Sequence, residues 1–174
     1  MNRILPSSWL LLLSFFAISV SSCAFLTTEP TSQRTVKGEE VTAEERMRRE
    51  VVDYAQDLLG SEYQYAGRDP RHGFDCSGFT YYVLKKFEVT LPTSSKYQAN
   101  EGKKVEVRKA RPGDLIFFKR SPVGRVFHVA MVVANDRKGL QVIHSTSRGV
   151  VIDNISESSY WQPKISSARN VLSD

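Results

Sequence analysis

Residues 75–78, Asp-Cys-Ser-Gly, set a lone thiol between an acid and a hydroxyl at the head of an amphipathic stretch, "GFDCSGFTYYVLKKF". A cysteine in the first turn of a helix sits among unpaired backbone N–H groups at the positive end of the helix dipole. Both favour the thiolate, which is the nucleophilic form. Asp75 falls at the N-cap position, where a carboxylate accepts an orphan N–H, and Gly78 leaves room for another backbone to come close. The same residues can also simply begin a helix, so this stretch alone leaves Cys76 open as nucleophile or as a small structural residue.

Cysteine catalysis needs an imidazole partner and a third group that orients it. The chain holds three histidines, His72, His128 and His144. His128 interrupts the apolar run "VFHVAMVVA", whose alternation puts His128, Ala130 and Val132 on one face and Val129, Met131 and Val133 on the other. His144 closes "LQVIHST", and the short "ANDRKG" connection makes the two strands antiparallel neighbours. The imidazoles would then lie side by side, one as partner of Cys76 and the other as orienter. One cysteine and three histidines would also complete a tetrahedral zinc site. No CxxC, HxH or HExxH spacing supports that reading, and His72 lies in a loop four residues before Cys76. No metal or organic cofactor is expected.

The elements that must hold these groups follow from periodicity. "TAEERMRREVVDYAQDLLG" opens on a capping box, Thr42 with Glu45, and carries Met47, Val51, Ala55, Leu58 and Leu59 at helical spacing before Gly60. A loop with a short extended piece over Tyr63–Ala66 leads to a second helix over residues 76–87, and a short third helix is expected in "TSSKYQANEG". "RPGD" places Pro and Gly in the middle of a type II turn. "DLIFFKR", "FHVAMVVAN", "LQVIHST" and "GVVIDN" then read as strands between turn signals. Helices followed by tightly connected strands describe an α+β fold with an antiparallel sheet.

With 174 residues, 41% hydrophobic and 25% charged, the chain suits one globular domain with short appendages. Its net charge of +5 is dispersed, without the basic blocks or motifs of a nucleic-acid binder, so no nucleic-acid partner is expected. Residues 1–22 carry Arg3, an apolar core over Trp9–Val20 and small residues ahead of Cys23, the layout of an export signal. The apolar run is short for a membrane span. "VSSC" resembles the lipobox of bacterial lipoprotein precursors, in which the cysteine is lipidated and becomes the first mature residue; an ordinary secretory signal cleaved nearby is the alternative. Residues 23–41 are polar and read as a flexible tether, leaving 42–174 as the ordered domain. With Cys23 lipidated, Cys76 is an unpaired exported thiol, and no disulfide within the monomer is expected.

Taken in order, Cys76, His128 and His144 make the chain resemble the NlpC-type cell-wall peptidases, papain-like cysteine enzymes that cleave peptidoglycan peptides. The resemblance runs from about Met47 to Leu172 and rests on "YQYAG", "FDCSGF", "LPTSSKYQ", "RPGDLIFF", "HVAMVV" and "VIHSTSRGVVI". It implies a papain-like domain with N-terminal helices packed on an antiparallel sheet. It further implies Cys76 as nucleophile, His128 as its base in a thiolate–imidazolium couple, and His144 as the residue that orients His128. Tyr63 matches the tyrosine near the oxyanion site, with a half-buried packing role as the alternative, and Asp75 and Ser77 shape the helix start or the groove. Ala66 stands where the family usually has the first of two glycines, and Thr93 where relatives often carry Arg. The implied partners are peptidoglycan stem peptides and, through Cys23, a membrane. The expected protein is a monomeric, exported lipoprotein facing the periplasm, anchored in the outer membrane. A non-catalytic wall-binding or scaffolding lipoprotein and an amidase or acyl transferase on another substrate are the other functions open to this sequence.

Overall fold

In the computed structural model, residues 41–173 are described; the expected signal and lipid-bearing Cys23 lie outside the described residues, as does the tether up to residue 40. α1 (Ala43–Gln56) begins on the complete capping box, Thr42 accepting from the Glu45 N–H while Glu45 reaches back to the Thr42 N–H. The helix ends four residues before Gly60, and turns carry the chain on. A minimal hairpin follows, β1 (Arg68–Asp69) with β2 (Gly73–Phe74), inside the segment expected to be a loop. The extended piece expected around Tyr63 is a single bridge from Tyr63 to Phe74. α2 (Cys76–Lys85) starts at the thiol, and α3 is one turn, Ser95–Gln98.

The strands are β3 (Lys103–Val105), β4 (Leu115–Lys119), β5 (Val126–Asp136), β6 (Gly139–Thr146), β7 (Gly149–Asn154) and β8 (Ile165–Asn170). They form one antiparallel sheet in the order β3-β8-β4-β5-β6-β7. β5 and β6 pair as expected, across a two-residue turn at Arg137 and Lys138. β3 and β8 were not legible as strands, because their short polar runs gain order from pairing at the sheet edge rather than from an apolar pattern.

Each face of the sheet buries its own core, which is why β5 is apolar on both sides. Val129, Met131 and Ile143 pack with Val51, Ala55, Phe79 and Val83 of the helices. Ala130, Val132 and Val142 lie on the other face with Phe118, Ile155 and Trp161. The expected alternation of β5 is therefore the observed one, and it assigns His128 to the second face.

Two devices pin the helices to this sheet. Gly113 has φ +85° and Asp114 N donates to Arg111 O at 3.0 Å, completing the turn expected at "RPGD". Arg48 of α1 reaches that turn, its Nη1 donating to Asp114 Oδ1 and to Pro112 O, each at 2.8 Å. Behind α2, the buried Gln98 donates to Ser77 O and Pro92 O and accepts from Thr80 Oγ1. That amide ties α3 to the helix bearing the thiol.

Candidate active site

Asp75 builds the start of α2. Its Oδ1 accepts from Gly78 N at 2.7 Å and lies 3.0 Å from Ser77 Oγ, while its Oδ2 accepts from Ala66 N at 3.0 Å. Ser77 is buried, with Oγ also 3.0 Å from Thr93 O. Both residues thus organise the helix start and the loop beside it, and their polar atoms are committed to that task. The backbone that approaches Gly78 is that of Gly67, whose carbonyl oxygen would stand 1.9 Å from an added Cβ. Ala66 adopts φ +57°, the left-handed region where glycine carries no strain.

Cys76 opens onto a cleft of about 330 Å³ lined by Tyr63, Tyr65, Arg68, Thr93, Ser94 and Phe127, among others. Burial pushes the thiol up to about 11, against the pull of the Val129, Ser77 and Cys76 N–H groups toward the thiolate. The Val129 contact follows from the sheet. Val132 N donates to Asp114 O at 2.8 Å, and the β4–β5 register then turns the Val129 N–H toward the β6 side. The β5–β6 ladder ends at Met131–Ile143, so that N–H meets the thiol instead of a strand.

Beyond the last rung, His128 and His144 stand edge to face, with Nε2 of His128 3.0 Å from Nδ1 of His144. His128 is 7% exposed and His144 fully buried. Trp161 stacks on His128 at 4.6 Å between ring centres, and Phe118 lies 5.5 Å from it. This aromatic wall keeps water from the bond between the histidines. Burial, reinforced by His144, drives His128 down to about 3. Burial also lowers His144, although its bond to Asp153 works in the opposite direction. No hydrogen bond links Cys76 to His128 among the described residues, and burial favours the neutral form of each. The helix terminus favours a preformed thiolate–imidazolium couple, but desolvation outweighs it here.

Tyr63 lies on the cleft, 44% exposed. Burial first, then proximity to Cys76 and Asp75, raises its pKa, so the phenol stays a hydrogen-bond donor at neutral pH. His72 is set apart, its Nδ1 2.9 Å from Asp69 Oδ1 on an exposed loop.

Two neighbours of the histidines were not singled out from sequence. Trp161 arrives from a loop, and nothing local marks its destination. Asp153 Oδ2 lies 3.0 Å from His144 Nε2 and also accepts from Arg148. That contact was in principle legible. A two-residue turn at Ser147 and Arg148 puts His144 opposite Val151, which makes Asp153 its diagonal neighbour on the same face.

The chain is similar to a γ-DL-glutamyl hydrolase of Bacillus subtilis (strain 168), 39% identical over 71% of this chain and 30% of that protein. It is similar to a murein DD-endopeptidase/murein LD-carboxypeptidase, MepS, of Escherichia coli (strain K12), 36% identical over 71% of this chain and 62% of the relative. An NlpC/P60 family protein from Bacillus cereus ATCC 10987 superposes with a TM-score of 0.66 at 32% identity, over 72% of this chain and 40% of that one. The chain therefore spans less than two thirds of the length of each. The model of the NlpC/P60 family matches residues 60–170, a stretch that takes in Tyr63, Cys76, His128, His144 and Asp153, and the chain belongs to that family.

Proposed function

We propose that this chain is a cysteine peptidase that hydrolyses amide bonds in peptidoglycan stem peptides or their cross-links. The observation that carries the reading is a cleft-facing thiol at a helix start that meets the Val129 N–H of β5, one residue after an imidazole held by a second, buried imidazole. Membership of the family and the murein and γ-glutamyl hydrolases among the relatives support the substrate class. So does Arg68, a cation on the cleft wall where an acidic peptide would lie; it brings positive charge to a groove in which Thr93 holds the position often taken by Arg in relatives.

Because Nε2 of His128 is engaged by His144, Nδ1 is the nitrogen left to act. It takes the thiol proton as sulfur attacks the amide carbonyl, so the ion pair forms with the reaction rather than before it. Apo geometries of this kind tighten once substrate fills the cleft. The Tyr63 hydroxyl and the Cys76 N–H face the developing oxyanion. His128 passes its proton to the leaving amine, and water then hydrolyses the thioester.

Purified peptidoglycan digested by the protein should release muropeptide fragments identifiable by mass, and the Cys76→Ser variant should release none. Equal release by both would overturn the nucleophile assignment; no release by either, from folded and reduced protein, would favour the wall-binding reading. The location we propose is an exported lipoprotein held at the outer membrane by Cys23, on the strength of the signal and "VSSC". Diacylglycerol on Cys23 by mass spectrometry is the expected result, and an unmodified amino terminus elsewhere would end that claim.

A further inference from the structure

We infer that Asp153, braced by Arg148, is a positioning residue that selects the tautomers of both histidines and leaves Nδ1 of His128 as the unprotonated base. This rests on reading Cys76 and His128 as the reacting pair. An ionised carboxylate only accepts hydrogen bonds. With Oδ2 of Asp153 3.0 Å from Nε2 of His144, that nitrogen must carry the proton. A neutral His144 then has a bare Nδ1, which can only accept. Nε2 of His128, 3.0 Å away, must therefore donate, and the neutral His128 ring is left with its lone pair on Nδ1. One acceptor on β7 thus decides the proton position on a ring two strands away.

Among the described residues, the surroundings give Asp153 this role and no other group. His144 is fully buried and meets His128 from β5, Trp161 from the loop before β8, Asp153 from β7 and Arg148 from the β6–β7 turn. Of these, Asp153 is the one that can accept from Nε2. Arg148 donates to the same oxygen, which keeps the carboxylate ionised and turned toward the ring. Without that acceptor the reversed arrangement becomes available, with a proton on Nδ1 of His144 pointing at His128 and a proton on Nδ1 of His128 pointing at the thiol. That arrangement has no base.

Nitrogen-15 spectra of the histidine rings read the tautomers directly, independent of turnover. In the unaltered protein above the titration range, both His128 and His144 should show the proton on Nε2. Asp153→Ala should introduce the Nδ1–H form at His144 and lower kcat on the order of 10- to 100-fold, short of losing acid–base catalysis altogether, with KM within about twofold. Asp153→Asn, whose Oδ1 can still accept, should restore the Nε2–H form and most of kcat. The acid limb of kcat/KM should move to lower pH in Asp153→Ala, because a negative charge that favours protonation of the pair is gone. Unchanged ring spectra in Asp153→Ala, or an equal kcat loss in both variants, would overturn the assignment. Expected spectra without hydrolysis of peptidoglycan by the unaltered protein would count against the peptidase reading and leave the tautomer assignment standing.

Discussion

Two aspartates in this molecule each accept from an arginine, and they are built to different ends. Asp114 and Arg48 meet at 2.8 Å with side chains 2% and 3% exposed. Asp114 Oδ2 is also taken by the Arg111 N–H, and Arg48 Nε by Glu44. Asp153 and Arg148 are 21% and 59% exposed, and the shared oxygen also serves a histidine. A fully desolvated pair clamps α1 to the sheet, and removing one member strands a charge in the interior. In the second pair Arg148 is open to water, so losing the carboxylate strands no buried charge, only the buried His144 N–H that it accepts from. The first carboxylate therefore belongs to stability and the second to proton placement.

The largest effect that would test this contrast lies at its chemical pole. Cys76→Ala should remove all measurable hydrolysis while the thermal midpoint stays within a few degrees, because the change removes a single sulfur atom from a partly buried side chain at the edge of the cleft. Next, Asp114→Asn should destabilise the protein by about 3–5 kcal/mol in denaturant titrations, as expected when a buried pair loses one partner. Asp153→Ala should cost less, about 1–3 kcal/mol, because the buried Nε2–H of His144 loses its acceptor but no charge is stranded in the interior. Similar losses for these two aspartates would erase the distinction.

A third effect is pH-dependent. His128 is held neutral by burial, down at about 3, against about 6.5 in the unfolded chain. The unfolded state therefore binds the extra proton as pH falls below 6.5, and stability declines from there until about 3. The slope is up to about 1.4 kcal/mol per pH unit for each such histidine. His128→Gln should flatten this decline, as seen in denaturant midpoints taken between pH 7 and 4; an unaltered slope would contradict the burial argument. The smallest effect belongs to the cleft loop. Ala66→Gly relieves a left-handed alanine, worth roughly 1–2 kcal/mol, but adds unfolded-chain entropy of roughly 0.5–1 kcal/mol. A net gain of at most about 1.5 kcal/mol is expected by denaturant midpoint, and a net loss would mean the loop requires the Ala66 methyl.

Local chemistry carried much of this protein on its own. The capping box set the start of α1, Asp75 the start of α2, Pro and Gly the turn before β4, and the period-two run through His128 a strand buried on both faces. Each is decided by neighbours within a few residues, through hydrogen bonds and side-chain period that any fold containing the segment would preserve. The tertiary structure alone settled the remainder. Where the β5–β6 ladder ends decides that the Val129 N–H meets the thiol, and the burial of the finished domain decides that thiol and imidazole rest neutral. The edge pairing of β3 with β8 and the arrival of Trp161 over the histidines likewise depend on register and docking between residues far apart in the chain. Desolvation and strand pairing are properties of the assembled whole, and no short stretch of sequence contains them.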